Sequence, residues 1–438
     1  MECNPPGKGT MTLTEVISVG IGGMVGGGIF AVLGLSVALA GGAAPIAFAI
    51  AGVIAFLTAV SYSKLATALP SSGGTVTYLN CAFGTGIVAG GLNVLLWLSY
   101  VVMLALYASA FGSYFLALFP AMSGPQIPTA GVILLFTGLN ALSAGAVGRA
   151  EEIIVGIKVL ILVGFVVIAF PTVEPARVAL STWASPLSIV GGGMVIFLAF
   201  EGFELIANTA EDIVDGKRNL PRAFLISVSS VIVLYVAIAV VTVGTLDLSA
   251  ISAASDFALA AAARPILGQA GFTIIAIAAL LSTSSAINAT LYGSARLTYG
   301  IARSGELPAM LENKVRGQPV EGLLVTAGLT LVVALGLDLS RIATIGSAGF
   351  LVIFAAVNIA NVRLRAMTGT SRWLPIGTTV ACLAALVALL IEVGRSDLGA
   401  VFIVAGLGIG SFAVEAAYRR STGRTIRSLL PLENHHPG

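Results

Sequence analysis

The chain has 438 residues, 57% of them hydrophobic and only 10% charged, with a formal net charge of +2 and a mean hydropathy of +1.02. Soluble domains carry about 25% charged residues, so this composition excludes a water-soluble protein and indicates an integral membrane protein. Cys3, Cys81 and Cys382 are odd in number and far apart, and the two histidines, His435 and His436, stand in a polar tail. That excludes a disulfide framework, a histidine-based metal site and a histidine proton relay inside the membrane.

Residues 1–11 read as a short tail, without the basic region, apolar stretch and small-residue cleavage site of a signal peptide. Crossing about 30 Å of hydrocarbon takes near 20 apolar residues. Runs of that kind fall near 13–40, 43–69, 85–118, 127–146, 150–170, 187–210, 223–245, 271–301, 322–338, 341–362, 375–393 and 398–417. The intervening segment 252–263, SAASDFALAAAA, is too short to span and is expected to be an interfacial helix. Basic residues favour cytoplasmic loops. With the N-terminus inside, 17 of the 22 lysines and arginines fall on the inner side, from Lys8 and Lys64 to Arg424 and Arg427. Only Arg177, Arg264, Arg341 and Arg395 fall outside, and Lys158 alone lies within a span. Twelve spans with both ends cytoplasmic is the expected topology.

The first span contains VGIGGMVGGGIF, six glycines in twelve positions. Each costs roughly 1 kcal/mol relative to alanine inside a helix, so this span weakens its own middle. The fifth span, EEIIVGIKVLILVGFVVIAF, places Lys158 seven residues beyond Glu151, about 10 Å deep at 1.5 Å per residue. Snorkelling back to the interface is one reading. A charge at that depth is by default functional. The sixth span, SIVGGGMVIFLAFEGFELIANTAED, repeats the oddity of the first, with three glycines early and AFEGFE halfway.

Interrupted spans in corresponding positions of two halves point to a transporter site between inverted repeats. The first and sixth spans are five apart, which makes 12–170 one repeat, 187–365 the second, 375–417 an addition and 418–438 a tail. Breaking a helix in lipid strands amides and carbonyls that must find partners. A zwitterion satisfies both kinds: half-helix N-termini favour its carboxylate and half-helix C-termini its ammonium. Close helix packing through small residues is the plainer reading of either glycine run alone.

Three stretches carry a resemblance to the amino acid–polyamine–organocation (APC) superfamily of permeases. They are GIGGMVGGGIF in span 1, FLAFEGFELIANTAEDIVDGKRNLPRA from span 6 onward, and NATLYGSARLTYGIARSGELP closing span 8. The resemblance implies an all-α membrane protein with the five-plus-five inverted repeat shared with LeuT, discontinuous helices 1 and 6, and an amino-acid or related substrate. It implies a carboxylate cradle at the amides of Gly27 and Gly28, beside Gly26. Acceptors for the α-ammonium are then the carbonyls of Met24, Leu198, Ala199 and Glu201. Phe200 and Phe203 are the gate candidates, although many relatives carry an aromatic where this chain has Leu198.

Lys158 matches the lysine that sodium-independent, proton-coupled relatives carry in span 5. Its ammonium is expected to occupy the place of the sodium ion of other members. There it would face the carbonyls of Gly22 and Val25 and a hydroxyl of STSS, with Ser284 favoured over Thr283 or Ser285. Burial favours the neutral amine and facing carbonyls favour the ammonium, so separation of spans 1 and 8 would release a proton. Glu201 and Glu204 are open to three readings: a cation site, a proton relay, or, for Glu204, a partner for freed backbone. Asn93, Asn140, Asn288 and Asn358 read as interhelical hydrogen bonders, with Asn288, Tyr100, Tyr107 and Ser347 as possible pocket walls.

The leading expectation is therefore a proton-coupled amino-acid symporter of the cell membrane, working by alternating access. An amino-acid or amine exchanger without net proton flow is the alternative. A channel would need polar rings along several spans, an intramembrane enzyme would need clustered reactive groups, and a primary pump would need a P-loop. The sequence displays none of these, and no cofactor, metal or nucleic-acid partner is expected.

Overall fold

The computed structural model describes residues 9–84, 86–142, 148–303 and 319–422. Cys3, Lys8, Lys314, Arg316, Arg424, Arg427, His435 and His436 lie outside the described residues, as do the side chains of Arg149, Glu151 and Arg303. The described chain is helical, joined by short turns and two isolated bridges. Eight helices are long and apolar enough to cross a membrane. Two further pairs, α1 (Leu13–Met24) with α2 (Gly28–Ala40), and α8 (Pro186–Val195) with residues 197–208, are each bent at a break, by 46° and 42°. Two more apolar helices, α6 (Gln126–Leu142) and α13 (Val320–Gly336), have 17 residues each. Leu160, Phe402 and Ile409 are 72%, 74% and 72% exposed. Such an outward apolar belt requires lipid rather than water around it.

Local chemistry sets where the broken helices begin. Thr12 caps α1 in a reciprocal box with Glu15, and Ser185 caps α8 ahead of Pro186 at its first position, both satisfying otherwise unpaired amides. The chain leaves α1 at Val25 (φ −78°, ψ 43°) and re-enters helix at Gly28. In the second half α8 gives way to an eight-residue 3-10 stretch, Phe197–Glu204, and then to the single turn α9 (Leu205–Asn208). The two breaks cross with backbone against backbone. A Cβ on Gly202 would lie 2.1 Å from the carbonyl carbon of Gly23, and one on Gly28 would lie 2.7 Å from the Cα of Ala199. Each end of the crossed pair is also tied. Met11 bridges to Ile213 at the end holding the N-terminus, and Gly41 to Trp183 at the other.

Around this pair stand two sets of four helices in matching order, so that each broken span opens a set of five. α3 (Ala44–Ala68), α5 (Ile87–Leu118), α6 and α7 (Gly148–Ala169) follow the first break. α10 (Gly216–Thr245), α12 (Ala258–Arg303), α13 and α14 (Leu339–Arg363) follow the second. α3 packs on its counterpart α10, α5 on its counterpart α12, and α7 against α1 and α12. α16 (Trp373–Gly394) and α17 (Leu398–Thr422) lie outside, on α8 and α5 respectively.

Four details differ from the sequence expectation. A ten-residue helix, α4 (Gly74–Phe83), stands between α3 and α5. α10 begins at Gly216 rather than 223, so Lys217, Arg218 and Arg222 lie on the helix. α17 runs to Thr422, beyond the expected end at 417. Residues 252–263 are divided among α11 (Leu248–Ala253), the 3-10 turn Ser255–Phe257 and the start of α12. Ala258, Leu259, Ala260, Ala262 and Ala263 are fully buried, because alanine lets this stretch settle into the bundle rather than on a lipid interface. Gly268, at φ 64°, then turns α12 into its long segment, a conformation only glycine adopts without strain.

Candidate functional site

Every backbone group freed at a break needs a partner, and tracing those partners builds the site. The last turn of α1 offers carbonyls. The Val25 amide still donates to Ile21 O at 2.7 Å, the Lys158 ammonium donates to Gly22 O at 3.0 Å, and the Tyr235 hydroxyl donates to Met24 O at 2.6 Å. The same hydroxyl stands 3.4 Å from Ala199 O, so one tyrosine of α10 spans both breaks. On the other side of the first break, Gly27 and the first turn of α2 present unpaired amides, the first return bond being Ala31 N to Gly27 O.

The second break is splinted by one serine. Ser347 of α14 accepts from the Leu198 amide at 3.1 Å and donates to Val195 O at 3.0 Å. Ser347 and Tyr107 were both candidate pocket walls, and the structure brings both to the breaks. The Tyr107 ring rests on Gly27, where a Cβ would come within 2.5 Å of Cδ1, and its hydroxyl lies 3.7 Å from a Cβ on Gly26. Gly26, Gly27, Gly28, Leu198, Ala199 and Glu201 are all buried together. Tyr235 carried no signal in the sequence, because a single tyrosine in an apolar helix resembles ordinary core.

Lys158 is 1% exposed. It reaches α1 where Val155, one turn earlier on α7, fits against Gly22 at 2.7 Å from a Cβ position. Val25 is also fully buried. In STSS on α12, the Thr283 hydroxyl is committed to Ala279 O of its own helix, and its methyl faces Gly27. Ser284 is half-buried and Ser285 buried.

Phe200 packs edge-on to Phe48 and tilted against Tyr235, at ring separations of 6.5 and 5.1 Å. Phe203 belongs to a second cluster, with Tyr62, Phe224 and Phe354. Glu204 accepts from the Tyr62 hydroxyl at 3.1 Å, and Tyr62 also bonds Thr75 of α4 at 2.9 Å. Its partner is thus a side-chain hydroxyl rather than freed backbone. The asparagines hold helices together: Asn140 to Asn288, Asn93 to Asn80, and Asn358 to Ser61. A cavity of about 40 Å³ lies between α4, α5, α9 and α12, lined by Thr75, Tyr100, Asn208, Thr290 and Ser294 among others. Tyr100 therefore faces this cavity. Among the described residues no three His, Cys, Asp or Glu side chains converge as a metal site.

The model of the amino acid permease family matches residues 11–412, nearly the whole chain. The chain belongs to this family. An uncharacterized protein of Methanocaldococcus jannaschii is 36% identical, over 95% of this chain and 97% of its own. The inner membrane transport protein YbaT of Escherichia coli is 33% identical, over 82% and 84%. Among solved structures, a manganese transporter of Eremococcus coleocola superposes with a TM-score of 0.63, covering 93% of this chain and 96% of its own at 14% identity. That last likeness concerns the fold alone, which is the LeuT-like arrangement with discontinuous helices 1 and 6. This amino acid permease is a membrane transporter, and its family membership implies amino acids or related molecules as substrates.

Proposed function

We propose that this permease is a proton-coupled amino-acid symporter working by alternating access, with twelve spans and both termini in the cytoplasm. On this reading Gly27 and Gly28 receive the substrate carboxylate at the N-terminus of α2, beside Gly26. The carbonyls of Met24, Leu198, Ala199 and Glu201 receive the α-ammonium. Phe200, packed at a tilt against the tyrosine that touches two of those carbonyls, closes over the substrate. Phe203 holds the 3-10 stretch against α3, α10 and α14 while the gate moves.

The observation that supports proton coupling is the fully buried Lys158 ammonium donating to Gly22 O at 3.0 Å. Its charge is held by the carbonyls that α1 frees at its break, with Val25 and a serine of α12, Ser284 first, completing the shell. Opening toward the cytoplasm moves α1 away from α7 and α12. The amine then loses its acceptors, burial favours the neutral form, and the proton leaves.

Uptake and counterflow in proteoliposomes, with and without a pH gradient, test this. Wild-type protein should accumulate amino acid only with the gradient, and Lys158→Ala should abolish accumulation while retaining exchange. Full gradient-driven uptake by a well-folded Lys158→Ala protein would refute the role. Wild-type protein that exchanges amino acids but never accumulates them under the gradient would identify an antiporter instead.

A further inference from the structure

One group at the breaks has no task in this scheme. Glu201, midway along the 3-10 stretch, is fully buried, and neither of its carboxylate oxygens has a hydrogen-bond partner. Its neighbours in the site are occupied. The carbonyls of Met24 and Ala199 face Tyr235, the Val195 carbonyl and Leu198 amide are held by Ser347, and Gly22 holds Lys158. Glu204, three residues on, has Tyr62. Glu201 sits between Ala199, whose backbone meets Gly28, and Gly202, whose backbone meets Gly23, so it lies where the two breaks cross. Glu201 therefore borders the proposed substrate site, and its buried carboxylate has no hydrogen-bond partner there.

Charge balance then constrains the ligand. A zwitterion brings one negative and one positive charge, matched by the α2 amides and the freed carbonyls. Glu201 is left over, and an unpaired carboxylate shut away from water is strongly disfavoured. A second cation on the ligand removes that penalty. We infer that Glu201 recognises a positive charge on the substrate side chain, so that the permease selects amino acids ending in an ammonium or guanidinium over their neutral isosteres. This rests on the reading of the breaks as an amino-acid site. The competing account gives Glu201 a proton and the site a neutral substrate.

Full-length protein in proteoliposomes, assayed by counterflow so that no pH gradient is needed, separates the two with L-ornithine against L-norleucine and L-2,4-diaminobutyrate against L-norvaline. Wild type should prefer each cationic member at least tenfold. Glu201→Gln should lower the ornithine-to-norleucine ratio at least tenfold, and Glu201→Asp should keep part of it. Wild-type preference for the neutral isosteres, or a Glu201→Gln protein with an unchanged ratio, overturns the inference. If Glu201→Gln does not fold, the wild-type preference decides alone. Neutral amino acids carried without cationic preference defeat this inference and leave the symporter reading standing, whereas no binding of any α-amino acid defeats both.

Discussion

Gly202 and Gly23 meet so closely that a Cβ on Gly202 would stand 2.1 Å from the carbonyl carbon of Gly23 and 2.5 Å from its oxygen. Both obstructing atoms are backbone, so no side chain can turn away to relieve the clash. Gly202→Ala should therefore push the two broken helices apart at their crossing. Overpacking of this kind costs about 1–3 kcal/mol and sometimes more. The thermal midpoint in detergent should fall and uptake should be lost. Gly328→Ala on α13, where nothing lies within 4 Å of the added carbon, is the control. It should leave the midpoint unchanged or raise it, through helix propensity of up to about 1 kcal/mol.

Tyr235→Phe isolates one hydroxyl. That hydroxyl donates to Met24 O at 2.6 Å and lies 3.4 Å from Ala199 O, and the ring stays packed against Phe48 and Phe200. Removing it leaves buried carbonyls without a donor, at about 1–3 kcal/mol. The expected result is a lower thermal midpoint and a substrate affinity weakened roughly tenfold, the counterpart of about 1.4 kcal/mol. An unchanged affinity would mean that the two carbonyls are positioned without this tyrosine.

Ser347→Ala makes the matching test on the second break. Its hydroxyl both accepts from Leu198 N and donates to Val195 O, so the substitution orphans two buried backbone groups at once. Stability should fall more than in Ser347→Cys, whose thiol is a weak donor and acceptor and keeps a diminished version of both contacts. Thermal midpoints of the two variants side by side give the ranking.

Much of this site was legible because it is written in backbone requirements. Six glycines in residues 19–30 and three in 191–193 announced two weakened spans, and the structure breaks both. Lys158 stood out because a lone cation in an apolar run must either snorkel or find acceptors, and it is buried with its ammonium on Gly22 O. Tyr235 and Ser347 were harder for a shared reason. Each acts through one polar atom that reaches another element, and no periodicity records which face of an apolar helix that atom occupies. The same limit hid α4, a ten-residue helix too short to register as a span, and the extra turns of α10, whose basic residues read as loop.

Acid should loosen the face opposite the N-terminus through one ion pair. Asp397, between α16 and α17, accepts from Arg341 of α14 at 2.6 Å. That hydrogen bond, with the Ala400 amide, holds its carboxyl below the usual carboxylate range. A carboxylate whose folded-state pKa is depressed contributes stability above its unfolded value of about 3.9. The contribution is lost as pH falls through the lower folded value. Asp397→Asn should therefore be less stable than wild type at neutral pH, with the difference shrinking below about pH 4. Thermal midpoints across pH 3–7 check this, and a difference that grows on acidification would contradict it. The pair is partly exposed, so salt should also reduce the difference.

On the proposed alternating-access scheme, the ties at the two ends of the broken pair release in turn. At the N-terminal end, the Thr10 and Met11 amides donate to Asp212 O at 2.8 and 2.9 Å, and Val214 N donates back to Met11 O at 3.0 Å. This joins the start of α1 to the segment that follows α9, directly beside the cavity lined by Asn208. Met11→Pro removes one of the donors without touching any group at the breaks. The tie should weaken, and the population open at this end should rise. A cysteine introduced by Asn208→Cys, in a background lacking Cys3, Cys81 and Cys382, should then react several-fold faster with a membrane-impermeant thiol reagent applied on the proposed cytoplasmic side. Saturating substrate should slow the reaction if it draws the breaks together, because a ligand shifts such an equilibrium only by its difference in affinity for the two states. Equal rates with and without Met11→Pro would mean that the bridge follows closure rather than holding it.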